Sequence, residues 1–190
     1  MNLPYIDTEE FSGIDFSLNH FTKAEYENCT FINCNFLNVD LSDNQFIECV
    51  FIDCNFSLAK LKNTGLKVVK FNKCKLVGLN FSTVDPFLLN INFTDCQLNL
   101  ASFYKLKLKN TVFKNCNLNE TYFSETDLTN ALFDNCDFKL AIFDNTSLEN
   151  ADFSTSYNYS IDPEKNNIKK ATFSKDGLAG LLDKYQLKIN

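Results

Sequence analysis

A large apolar residue returns at every fifth position along most of this chain. From Phe11 the series runs through Phe16, Phe21, Tyr26, Phe31, Phe36, Leu41, Phe46, Phe51, Phe56, Leu61, Leu66, Phe71 and Leu76 to Phe81 without a miss. A second series starts at Leu88 and continues through Phe93, Leu98, Phe103, Leu108, Phe113, Leu118, Phe123, Leu128, Phe133, Phe138, Phe143 and Leu148 to Phe153; Phe173 falls on the same register. The step from Phe81 to Leu88 places a two-residue insertion near Val84-Asp85-Pro86. Of the 20 phenylalanines, only Phe87 lies off the two series, and it sits at the insertion.

A period of five matches neither the 3.6 residues of a helix nor the two of a strand. It fits a coil built from short faces, each turning after five residues. Two positions before each large residue is a smaller inward slot, held by Val39, Ala59, Ala101, Thr111, Ala131 and all eight cysteines among others. The remaining three positions are mostly Asn, Asp, Lys, Ser, Thr or Glu and face outward. The cysteines settle the number of faces. Cys34, Cys54 and Cys74 are evenly spaced by twenty, as are Cys96, Cys116 and Cys136; Cys74 to Cys96 adds the two inserted residues. A fifteen-residue coil would break both columns. Four five-residue faces make one coil, and roughly eight coils fit the chain.

The unit, as in Ala131-Leu132-Phe133-Asp134-Asn135 or Ala151-Asp152-Phe153-Ser154-Thr155, resembles the A-(D/N)-L-x-x repeat of pentapeptide-repeat proteins, over residues 9–175. The resemblance implies an all-β fold, a right-handed quadrilateral parallel β-helix, with a short C-terminal helix. The best-known of the proteins this chain resembles protect or inhibit type II topoisomerases, the quinolone-resistance members among them, and many others have no assigned role. The expected organisation is a lead-in at 1–10, a solenoid at 11–173 broken near 84–86, and a capping or dimerisation segment at 174–190.

Stacked coils about 4.8 Å apart make a rod roughly 35–40 Å long. No coil can bury its own inner face, so stacking supplies the stability, and the filled interior leaves no ligand pocket. An uncovered end invites further stacking. Leu178, Leu181, Leu182 and Tyr185 follow helical spacing behind Asp176, an expected N-cap, with Leu187 and Ile189 beyond. This segment either caps the rod within one chain or also joins two copies as a homodimer, as the topoisomerase-protecting relatives do.

The cysteine spacings are the solenoid's own and include no C-x-x-C, so the thiols are expected reduced and structural, with neither metal nor disulfide. His20 is the single histidine and lacks an evident nucleophile partner; the five glycines form no phosphate loop. No catalytic residue and no cofactor is therefore expected. Asn33, Asn115, Asn130, Asn135 and Asn150 occupy outward slots that suit tight corners. Asn-x-Ser/Thr triplets such as Asn28-Cys29-Thr30 read as by-products of the repeat. The stretch Met1 to Asp7 lacks the pattern of a signal peptide and no run reaches membrane-span length, so the expectation is a cytoplasmic protein that meets neither membrane nor nucleic acid directly.

Charge is banded. Residues 1–60 carry ten acids and two lysines; 61–117 carry nine lysines (Lys62, Lys67, Lys70, Lys73, Lys75, Lys105, Lys107, Lys109, Lys114) and two acids; 118–161 carry eight acids and one lysine. On the face assignment these bands ring the rod. The C-terminal acids, Glu120, Glu125, Asp127, Asp134, Asp137, Asp144, Glu149 and Asp152, are the candidate partner-binding band. Such a surface would address a basic DNA-binding groove, as of DNA gyrase or topoisomerase IV, by partial DNA mimicry, although the lysine ring limits the mimicry. The alternative is a general interaction scaffold whose partner is another protein.

Overall fold

The computed structural model describes residues 3–188. Its strands are two to four residues long: β1 (Tyr5–Asp7), β2 (Glu10–Ser12), β3 (Glu25–Glu27), β4 (Thr30–Ile32), β5 (Gln45–Ile47), β6 (Val50–Ile52), β7 (Gly65–Lys67), β8 (Val69–Asn72), β9 (Ile91–Thr94), β10 (Val112–Lys114), β11 (Leu132–Asp134), β12 (Asp152–Phe153) and β13 (Thr172–Phe173). All pair in parallel. A nine-stranded sheet runs β13-β12-β11-β10-β9-β8-β6-β4-β2 and forms the first face; a four-stranded sheet, β1-β3-β5-β7, begins the fourth. Single bridges complete the other faces. Asp15, Asn35, Asn55 and Lys75 follow one another on the second; Asp40 meets Lys60, and Asn80, Ser102, Tyr122 and Ile142 continue the third. The result is the four-sided parallel β-solenoid that the five-residue period demands.

Identical inward positions meet in register. Phe31 pairs with Phe51, Phe51 with Phe71, Phe71 with Phe93, and Phe93 with Phe113. Their rings stack at 4.8, 5.2, 5.4 and 5.0 Å between centroids, while rings on adjacent faces meet edge to face, as Phe103 does Phe113 at 5.8 Å. Both geometries suit the aromatic quadrupole. The eight cysteines are free and buried in the small slots. Their thiols point at backbone carbonyls, for example Cys54 Sγ to Phe31 O at 3.4 Å.

Most faces end in a residue with left-handed backbone, and the asparagines named above all take this role, with φ between 52° and 59°. Asparagine tolerates that conformation better than other side chains. Here it also bonds along the rod: Asn135 donates to Asn115 and Asn115 to Asp95, both at 2.9 Å.

The register break departs from the sequence reading in one respect. Asp85 still bridges Gly65, whereas Ile91 pairs with Val69, so the extra residues bulge between them. Leu88, expected inward, is exposed with φ 56°; Leu89 packs against the core instead. A five-residue face cannot hold two more residues and keep its pairing. Phe87 and Leu88 therefore project, with Lys67 Nζ 5.6 Å from the Phe87 ring.

The C-terminal segment is also corrected. In place of an α-helix it forms two 3-10 turns, Leu178–Leu181 and Asp183–Tyr185. The first turn is bonded at its start by Ser174, whose hydroxyl accepts the Gly177 amide at 3.0 Å, and Asp176 is not the cap. Two glycines in four positions disfavour an α-helix. The Gly180 carbonyl, which an α-helix would offer to Lys184, instead accepts the Ile161 amide at 2.9 Å and docks the segment on the last coil. A side chain at Gly177 would collide with the Tyr159 hydroxyl, and one at Gly180 with the Tyr159 carbonyl. Ile189 lies outside the described residues. Among those described, no helix is long and apolar enough to cross a membrane.

Candidate partner-binding surface

The outward slots determine what a partner can touch, and the solenoid distributes the acidic band around all four faces. Asp134 and Asp152 stand on the first face, Asp137 on the second, Asp144 on the third, and Asp127 and Glu149 on the fourth; Glu120 and Glu125 occupy left-handed corners. The structure thus gathers them by height along the rod and not on one side.

Half of this band is engaged by lysines one coil away. Lys105 lies 3.4 Å from Glu125, Lys109 3.3 Å from Asp127, Lys114 3.7 Å from Asp134, and Lys169 3.6 Å from Glu149. Such exposed pairs stabilise little but reduce the local negative potential. Burial works against ionisation of Asp127, yet the Thr129 hydroxyl and amide and the Lys109 ammonium hold its carboxyl below the usual range. Glu120, Asp137, Asp144 and Asp152 have no lysine within ion-pair distance among the described residues. Nearer the other end, Asp7, Glu25 and Glu27 crowd the four-stranded sheet. There the Tyr5 hydroxyl donates to Glu27 at 2.7 Å, and that bond raises the phenol to about 12.

The five C-terminal residues divide by role. Leu181 packs against the core, whereas Leu178, Leu182, Tyr185 and Leu187 are exposed. Lys184 fastens the segment by reaching Asp162 and Glu164, each at 2.7 Å, and the Tyr185 hydroxyl donates to Glu164 at 3.0 Å. These bonds hold both carboxyls below their ordinary range. The segment therefore covers the last coil with one leucine and leaves four apolar side chains exposed at that end of the rod, beyond a coil that carries Lys165, Lys169 and Lys170.

His20 lines an open cleft of about 740 Å³ with Phe16, Phe21, Leu37, Asp40 and Asp43, where the first coil parts from the second. Among the described residues no cluster of His, Cys, Asp or Glu is arranged to hold a metal. Two surface features escaped the sequence reading: the projecting Phe87-Leu88 bulge and a row of leucines at one edge of the rod. The off-register Phe87 was a legible sign of the first.

A sequence family described as a pentapeptide repeat region matches residues 24–86 and 88–157. Full-length QnrB1, a plasmid-mediated fluoroquinolone resistance protein, is 19% identical over 96% of this chain and 100% of its own, with a TM-score of 0.54. HetL, a pentapeptide repeat protein involved in heterocyst differentiation regulation in the cyanobacterium Nostoc, is 16% identical over 93% of this chain and 92% of its own, with a TM-score of 0.37. At 19% identity, the likeness to QnrB1 speaks to the fold alone. No curated protein matches the chain.

Proposed function

Because this chain belongs to the pentapeptide-repeat family, we propose that it acts without catalysis, as a protein-binding solenoid that pairs through its C-terminal end and engages a type II topoisomerase. The observation that carries this reading is the set of exposed apolar residues Leu178, Leu182, Tyr185 and Leu187 at the end of the rod whose neighbouring coils hold the acidic residues of 118–161. Joining two copies there removes the patch from water and merges two acidic bands into one negative saddle. A basic DNA-binding groove attracts such a saddle, in a manner that salt screens. The fold shared along nearly its whole length with a fluoroquinolone resistance protein supports the choice of target. The four inter-coil ion pairs and the lysine ring favour the second reading, a scaffold for another protein of mixed charge.

The test is a gyrase supercoiling assay with and without a fluoroquinolone, at two salt concentrations. Leu181 belongs to the core, so the dimer variant is Leu182→Asp with Leu187→Asp. The saddle variant is Glu120→Gln, Asp144→Asn and Asp152→Asn, which keeps shape and removes unpaired charge. Wild type should be a dimer by light scattering and should change gyrase activity most at low salt; either variant should weaken the effect while the rod stays folded. A wild-type monomer removes the saddle. A dimer without effect on gyrase or topoisomerase IV leaves the scaffold reading.

A further inference from the structure

One edge of the rod, where the second face turns into the third, carries Leu18, Leu58, Leu100 and Leu140 in every second coil. Their exposures are 84%, 63%, 47% and 68%. Three of them take left-handed backbone, with φ of 59° at Leu58 and 60° at Leu100 and Leu140. Leucine is poorly suited to that conformation, which elsewhere on the rod is mostly held by Asn and Asp. These residues thus disfavour the folded state twice, by strained backbone and by apolar surface in water. Single exposed leucines are ordinary; four in one row with a fixed interval are not. The coils between them place Asn38, Gly78 and Glu120 at the same edge. The Leu58 side chain leans over Gly78, where a Cβ would lie 3.5 Å from its Cδ2.

We infer that this edge is a docking site for an amphipathic α-helix of a partner protein, laid along the rod with an apolar residue at every seventh position. The interval suits such an occupant. Two coils advance about 9.6 Å. Seven helical residues advance about 10.5 Å. A helix inclined by roughly 20–25° to the rod matches the two repeats, so that its apolar residues fall between successive leucines, over Asn38, Gly78 and Glu120. An extended strand has no such commensurate spacing.

Charge defines the helix further. Asp15 and Asp40 flank the edge near its start, Lys60, Lys62 and Lys75 near its middle, and Glu120, Asp137 and Asp144 beyond, where Lys139 beside Leu140 offsets one of the three acids. The complementary helix is basic toward both ends and acidic at its centre. A second copy of this chain fits less well. Set antiparallel along this edge, it would face acidic band to acidic band and lysine ring to lysine ring. The edge shares Glu120, Asp137 and Asp144 with the acidic band, and Leu140 borders the C-terminal segment; the leucine variant leaves those acids in place and so tests the helix site apart from the saddle.

The experiment uses the full chain and a fluorescein-labelled synthetic 22-residue helix-forming peptide. It carries leucine at every seventh position, lysines in its outer turns and glutamates at its centre. A control peptide has the same composition with leucines at every fifth position. Fluorescence anisotropy should show the heptad peptide binding at least tenfold more tightly than the control. The variant Leu58→Asn, Leu100→Asn and Leu140→Asn should lose at least tenfold in affinity for it. The same variant should melt at or above the wild-type temperature, because asparagine suits left-handed corners. Equal binding of both peptides, or unchanged binding by the variant, overturns the proposal. A variant that melts lower overturns the account of the corner. A wild-type dimer that this variant converts to monomer assigns the edge to a second copy and overturns the helix.

Discussion

Removing Phe113 should divide the rod. Its ring is fully buried and stacks on Phe93 at 5.0 Å and Phe133 at 5.1 Å, with Phe103 and Phe123 edge-on at 5.8 and 6.2 Å. The parallel ladders above and below cannot close over the void without breaking register, so relaxation is limited. Phe113→Ala is expected to cost about 4 kcal/mol, near the middle of the range for buried phenylalanine. Phe113→Leu, a residue that other inward columns already use, should cost only about 1–1.5 kcal/mol. Phe173 provides the contrast. It is half-buried on the last coil, stacked on Phe153 alone at 5.3 Å with Tyr159 tilted beside it at 5.4 Å. Its truncation should cost about half as much or less. Urea unfolding followed by far-UV circular dichroism measures both. Because each coil touches only its neighbours, Phe113→Ala should also broaden or split the transition into two halves. Equal losses at positions 113 and 173 would refute the reasoning, since stacking on both sides is what separates them.

The thiols offer a second check. All eight are buried, and burial raises Cys49 to about 12, so all eight should react with a thiol reagent only as the protein unfolds. Rapid stoichiometric labelling of the native protein would contradict their inward placement. The C-terminal segment should loosen in acid. Its bonds to Lys184 depress the carboxyls of Asp162 and Glu164, so the stabilisation is full above their ordinary values and is lost as pH falls through the depressed ones, below roughly pH 4. Hydrogen exchange at the Ile161 amide, bonded to Gly180, reports it; an opening free energy independent of pH, or the same pH dependence in Lys184→Ala, would exclude this clamp.

The inward half of this protein was legible without coordinates. Side chains at the five-residue period must fill a core, and the twenty-residue cysteine interval allowed only four faces, so Phe31, Phe51 and Phe71 had to stack as they do. The corner asparagines followed from the same logic, because left-handed backbone selects them residue by residue. What tertiary structure decided lies outside that short-range pattern. Leu88 matched the apolar period, yet the bulge turned it to solvent and gave its place to Leu89, since strand pairing on both sides outweighed one buried side chain. Leu178, Leu181, Leu182 and Tyr185 matched a helix, yet docking of Gly180 on Ile161 imposed 3-10 turns and sent only Leu181 inward. The acidic band counted eight charges in the sequence, but lysines one coil away engage four of them. Each of these outcomes depends on contacts between coils, which the coil-to-coil register creates and local periodicity does not contain.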